Sequence, residues 1–175
     1  MMQPLDPLHT RAPVFSPRSG APGTEVAVET PDLPALTPVY LGMGATRSSF
    51  EVLRQLVTSE LGEMSAVVEV PDWATADRTH YFVLVDVYFR PLAVSAAFHV
   101  TESDGTLRRR GRITDATAGC LTLSEAGDGE EFYVLTGDVQ ELTLGDEVLV
   151  EGTLGESPGC GQGTALQVTR AERLD

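Results

Sequence analysis

The chain's two cysteines, Cys120 and Cys160, are its only thiols. Thiols could serve as a redox couple, a nucleophile or a structural cross-link. Forty residues separate these two, far from the C-x-x-C spacing that tunes a redox pair. The reading preferred over free thiols is a structural disulfide, which at that loop length would contribute ~4 kcal/mol on the chain-entropy account. The three histidines, His9, His80 and His99, are scattered. A zinc site needs three or four convergent ligands, and no such His or Cys/His cluster is present. Acids gather at Asp128-Gly129-Glu130-Glu131 and Asp146-Glu147 without a D-x-D-x-D-G calcium loop, so solvated turn charges are expected there. Neither a Gly-x-Ser-x-Gly elbow nor a Walker loop occurs, and the glycine-rich stretch at Cys160 leads into a strand rather than a helix. The reading therefore assigns no catalytic residue, metal or cofactor.

Arg108-Arg109-Arg110-Gly111-Arg112 is the one basic cluster. It could form a phosphate-binding strip, with Phe132 and Tyr133 as stacking partners. Alternation along a strand would put Arg108, Arg110 and Arg112 on one face and Arg109 on the other. Those charges would then blunt a sheet edge or pair with the surplus acids. Trp73, the only Trp, sits in a polar stretch beside Asp72 and Asp77 and is the best single candidate for an exposed contact. Tyr40, Tyr81, Tyr88 and Phe89 could join it in an aromatic surface, or serve as core.

These residues sit on an acidic background. The net charge is -14; all twelve basic residues are Arg, and the deficit is shared by both halves. Such a surface repels phosphate backbones and anionic lipid, which argues against nucleic acid as a partner. No run approaches the ~18 apolar residues of a membrane span. Met1–Pro7 carry neither the basic n-region nor the apolar h-region of a secretory leader.

The elements that would position the candidates read as short strands cut by Gly and Pro. Residues 1–13 are expected to be a flexible arm. Strands are expected at Thr24–Glu29, Val39–Leu41 (ended by Gly42 and Gly44), His80–Tyr88 and Ala93–Thr101. Residues 48–62 carry both a helical spacing (Phe50, Leu53, Val57, Leu61) and a strand reading. The preferred reading is a hairpin, with strands Phe50–Thr58 and Met64–Val70 around a turn at Ser59–Glu63. Ser103-Asp104-Gly105 marks a boundary. Beyond it, five strands are expected at Leu107–Thr114, Cys120–Leu123, Glu131–Thr136, Glu147–Leu154 and Ala165–Leu174, which suits a small barrel.

Phe15-Ser16-Pro17-Arg18-Ser19-Gly20-Ala21-Pro22-Gly23-Thr24 followed by alternating Val26 and Val28 resembles the opening of IPT/TIG-type immunoglobulin-like domains. Val39–Gly42, Val67–Pro71 and Ala97–Thr101 resemble later strands of that family. Arg110–Ile113 and Leu142-x-x-Gly145-Asp146-x-Val148-x-Val150-x-Gly152 resemble strands of bacterial OB-fold domains. Together with Gly119–Leu123, Phe132–Gly137 and Cys160–Thr164, they look like a group of small secreted bacterial OB-like domains in which two cysteines are typically paired. The resemblances imply an immunoglobulin-like sandwich over 14–102 and a five-stranded OB-type barrel over 103–175, an all-β chain.

The expected function is non-enzymatic: a binding or adaptor protein of the bacterial envelope or cell surface that contacts another protein. Two alternatives stand beside it, an OB-mediated binder of oligosaccharide or single-stranded nucleic acid and a structural subunit of a larger assembly. A disulfide requires an oxidising compartment, so a periplasmic or extracellular location is expected, with cytoplasmic as the alternative.

Overall fold

The computed structural model describes residues 12–45, 49–116, 120–125, 131–155 and 163–174. Among them there are strands and turns and no helix. The chain divides into two units, Met1–Ala74 with Thr79–Val100, and Thr75–Arg78 with Thr101–Asp175. The expected boundary at Glu102–Thr106 follows Val100 closely. The assignment of Thr75–Arg78 to the second unit is a feature that linear reading did not anticipate.

The first unit holds β1 (Val14–Ser16), β2 (Ser19–Gly20), β3 (Glu25–Thr30), β4 (Pro38–Ala45), β5 (Phe50–Val57), β6 (Met64–Glu69), β7 (Thr79–Val85) and β8 (Pro91–Val100). They form a three-stranded sheet in the order β1-β3-β6 and a five-stranded sheet in the order β2-β8-β7-β4-β5. Alternation decides which residues face inward. Val26 and Val28 of β3, Met64, Ala66 and Val68 of β6, Leu41 and Met43 of β4, Phe82 and Leu84 of β7, and Phe98 of β8 share one core. Phe15 packs its ring against Phe82 and Phe98, at 5.4 and 5.8 Å between centroids.

Three sequence expectations are corrected here. The strands of the expected hairpin exist, but β5 pairs with β4 and β6 with β3, so the Thr58–Glu63 connection crosses between sheets. β5 thus folds back on the strand before it, while β6 finds its mate in β3, beyond β4 and β5 in the sequence. Gly42 and Gly44 do not end β4, which continues to Ala45. They are needed because a Cβ at Gly42 would lie 2.6 Å from the Glu51 carbonyl oxygen and 2.8 Å from the Phe50 ring. The β-branched and aromatic run at His80–Tyr88 ends as a strand at Val85, because Asp86 closes a turn there.

The second unit is a closed barrel in the order β10-β11-β13-β12-β9. Its strands are β9 (Thr106–Asp115), β10 (Leu121–Glu125), β11 (Phe132–Gly137), β12 (Glu147–Leu154) and β13 (Thr164–Leu174). All pairings are antiparallel except that of β11 with β13. Val148 and Val150 face the interior with Leu107, Ile113, Leu123, Tyr133, Leu135, Leu166 and Val168. The register of β12 against β13 shifts at Glu151/Gly152. A Cβ on Gly152 would meet the Gln167 carbonyl oxygen at 2.1 Å, so only glycine lets the strands close at this corner.

Candidate functional site

In the first unit, the turn between β7 and β8 presents the aromatic residues. Asp86 organises it. Its Oδ1 accepts the backbone N–H of Tyr88 at 2.9 Å and of Arg90 at 3.0 Å, and its Oδ2 accepts from Arg90 Nε at 2.8 Å. Main-chain bonds from Asp86 N to Arg90 O and from Phe89 N to Asp86 O complete the turn. Partial burial pushes the Asp86 carboxyl up. The N–H groups of Arg90 and Tyr88, with the Arg90 guanidinium, more than offset this and hold it below its ordinary 3.8.

That framework holds Tyr88 75% exposed with Val87 and Phe89 beside it. Phe89 adopts a φ of 61°, a conformation that costs a bulky side chain on the order of 1–3 kcal/mol. Its ring stacks on Tyr40 at 5.5 Å and approaches Phe50 at 6.3 Å. The Arg90 guanidinium lies 5.2 Å from the Tyr88 ring centroid. Phe50 in turn lies over Gly42 and Gly44, whose missing side chains leave room for it. The result is an exposed aromatic cluster on a hydrogen-bonded turn, backed by a second layer of rings.

Trp73 does not join this cluster. It is 40% exposed and its ring lies 5.9 Å from that of His80, at the N-terminal end of β7. The aromatic turn follows the other end of that strand, roughly 17 Å along it at strand rise. Of the suggested aromatic surface, Tyr40 and Phe89 come together, and Tyr88 stands beside Phe89 on the same turn with its ring against Arg90. Phe50 was not among the suggested aromatic residues; it reaches Phe89 from β5, a proximity that strand reading does not reveal.

In the second unit, β9 alternates as expected. Leu107, Arg109, Gly111 and Ile113 are buried, while Arg110 and Arg112 are exposed and Arg108 is half-buried. Arg108 lies opposite Glu151 on β12, and Arg112 lies opposite Glu147. Arg112 Nη2 reaches Glu147 Oε1 at 2.9 Å, and Arg108 Nη2 reaches Glu102 Oε1 at 3.5 Å. Two of the three outward arginines thus already face carboxylates, as the charge-pairing reading of the cluster expected. A depression of about 530 Å³ is lined by Arg110, Arg112, Thr114, Ser124, Glu125 and Glu147. Register places Phe132, Ser124, Arg112 and Glu147 in one row across four strands. Phe132 is 43% exposed, but Tyr133 is fully buried in the barrel core and so offers no surface for stacking.

Arg109 is 0% exposed. A buried guanidinium is tolerated only with partners. Its Nε donates to Tyr133 Oη at 2.8 Å, and its Nη1 donates to the carbonyls of Ala76 at 2.9 Å and Arg108 at 2.7 Å. Glu125 Oε1 lies 3.7 Å from Nε. The Ala76 carbonyl also accepts Arg108 N–H at 2.8 Å, and Ala76 belongs to the barrel core. Sequence alternation set Arg109 on the face opposite Arg108, Arg110 and Arg112 but gave no sign that this face is the buried one or that Ala76 is its acceptor.

Cys120 is buried immediately before β10. Cys160 lies outside the described residues, as do Asp128-Gly129-Glu130 and most of the expected arm. Among the described residues, no three His, Cys, Asp or Glu side chains converge. Nor is there, among the described residues, a helix long and apolar enough to cross a membrane.

No protein-family model matches the chain, and no curated protein matches it. Among solved structures, macromomycin matches at 14% identity and a TM-score of 0.44, over 53% of this chain and all of its own.

Proposed function

We propose that the chain is a non-enzymatic binding or adaptor protein that contacts another protein through the Asp86–Arg90 turn. The observation that carries this reading is the pre-organised aromatic cluster. Tyr and Arg dominate the energetics of protein interfaces, and fixing them in advance lowers the ordering cost of association. Tyr88 stands exposed on a turn already fixed by five hydrogen bonds involving Asp86. An immunoglobulin-like sandwich of the IPT/TIG type for the first unit is supported by its two sheets around one core. An OB-type barrel for the second is supported by five strands closing with a single parallel pair. A Cys120–Cys160 disulfide, and with it a periplasmic or extracellular location, belongs to the same proposal.

The test compares the full chain with a Tyr88→Ala/Phe89→Asn variant as bait in extracts of the source cells. Asn is chosen because it tolerates a positive φ. Proteins retained by the wild type are expected to be lost with the variant, since two central contact residues carry on the order of 2 kcal/mol or more each. Equal retention by both baits would overturn the reading.

A second reading rests on the row from Phe132 to Arg112 beside the 530 Å³ depression, which suits a sugar or nucleotide on the barrel. Binding of single-stranded nucleic acid would weaken steeply with salt, and sugar binding would not. The carboxylates facing Arg108 and Arg112 favour the protein-contact reading.

A further inference from the structure

The first unit carries a second feature, distinct from the aromatic turn. At one open end of its two sheets lies a groove of about 830 Å³, within the size range of ligand pockets. Its apolar lining includes Val14, Leu56, Val57, Leu61 and Met64. Its ionisable lining is Glu29, Glu60 and Glu63, all exposed, with no basic residue among the lining residues.

The connection that forms one wall is rigidly built. Ser59 N donates to Glu63 O and Gly62 N to Ser59 O, while Ser59 Oγ accepts from Leu61 N at 3.2 Å and Glu63 N at 3.0 Å. Leu33 N and Leu36 N bind the same connection at Gly62 O and Ser59 O. Gly62 has a φ of 76°, and a Cβ there would lie 2.0 Å from the Leu33 carbonyl oxygen. This connection therefore holds Leu61 80% exposed in a fixed place, between two glutamates that are themselves exposed. A leucine left in water on a mobile loop needs no explanation, but one fixed over an apolar groove does.

The floor gives an independent sign. Thr30, the last inward-facing residue of β3, is 1% exposed, and its hydroxyl has no hydrogen-bond partner among the described residues. It lines the same groove. A buried hydroxyl without a partner costs free energy that a bound polar group would recover.

We propose that this groove docks a cationic peptide segment of a partner protein, one apolar side chain anchoring over Met64 and Leu61 and flanking Arg or Lys facing Glu29, Glu60 and Glu63. Charge complementarity selects the occupant. The apolar lining supplies burial, the three carboxylates exclude acidic segments, and a backbone N–H of the entering chain supplies the donor that Thr30 Oγ1 lacks.

The test is selection of random octapeptides displayed on phage against the full chain, followed by fluorescence anisotropy of the enriched peptides. The expected result is enrichment of an apolar residue flanked by Arg or Lys. Binding should fall by about tenfold or more in Glu60→Arg/Glu63→Arg, and stay unchanged in Tyr88→Ala/Phe89→Asn. Both charge-reversed positions are exposed, so the variant retains its fold, which circular dichroism verifies. Enrichment of neutral or acidic peptides, no enrichment at all, or binding indifferent to the charge reversal would each overturn the proposal. Concentration-dependent self-association abolished by the same charge reversal would also overturn it, by making a second copy the occupant. Failure here leaves the aromatic-turn reading intact, because the two sets of variants share no residue.

Discussion

Replacing Tyr133 by Phe removes one oxygen from the barrel core and leaves the ring volume in place. That oxygen accepts the Arg109 Nε–H at 2.8 Å, inside a site where the guanidinium has no exposure. In Tyr133→Phe the charged donor keeps only the Glu125 carboxylate at 3.7 Å near that nitrogen. A hydrogen bond from a charged group contributes about 1.5–3 kcal/mol, and a buried donor left unmade costs a similar amount. We therefore expect a loss of about 2 kcal/mol, roughly a thirtyfold rise in the population that opens the barrel. Hydrogen–deuterium exchange of peptides from β9, β12 and β13 reads that factor directly. In an Arg109→Met background the same Tyr133→Phe change should cost less than about 0.5 kcal/mol, since the donor is gone. Protection within about twofold of wild type, or an equal loss in both backgrounds, would refute the account of Arg109 as a charge held by that hydroxyl.

Two further outcomes are expected. Asp86 is held below its ordinary 3.8 in the fold, with partial burial opposing and the Arg90 and Tyr88 hydrogen bonds prevailing. Asp104 is lowered chiefly by the Thr106 hydroxyl, and Asp146 by the Thr143 N–H. A carboxyl depressed on folding adds stability above its unfolded pKa, and that stability drains away as pH falls through the folded value. Urea midpoints should thus decline below about pH 4, and Asp86→Asn should flatten part of that decline; a variant whose curve runs parallel to wild type would contradict this. The proposed Cys120–Cys160 cross-link expects no titratable thiol in denaturant without reductant. Two thiols would remove it together with the argument for an oxidising compartment.

Much of this fold follows from local pattern, and what escaped follows from partners far away in sequence. Alternation separates Arg109 from Arg108, Arg110 and Arg112 on β9, as the structure does, because a barrel strand has one wet and one dry face. Gly42 and Gly44 misled as stop signals, since β4 needs them for the close approach of the next strand at Ser49, Phe50 and Glu51. The strands around Ser59–Glu63 were legible, but their mates were not: β5 folds back on the preceding β4, which leaves β6 to pair with the distant β3. Of the contact candidates, Tyr40 and Phe89 stack and Tyr88 shares the turn of Phe89, while Trp73 stands apart and Tyr133 is buried. The groove left no signature, as its lining is drawn from β1, β3, β5 and β6 and their connections.

The barrel is discontinuous in the gene. Four of its residues, Thr75–Arg78, are encoded ahead of β7 and β8, and Ala76 supplies both a core methyl and the carbonyl that accepts two N–H groups from β9. A fragment starting at Thr101 would be translated without that plug, leaving Arg109 short of one acceptor. On the ribosome the same gap would last until β9 emerges, some thirty residues after Ala76, so this segment must wait, solvated, for a wall that has not yet been made. Shuffling the two modules as independent cassettes would break the second one unless those four residues travel with it.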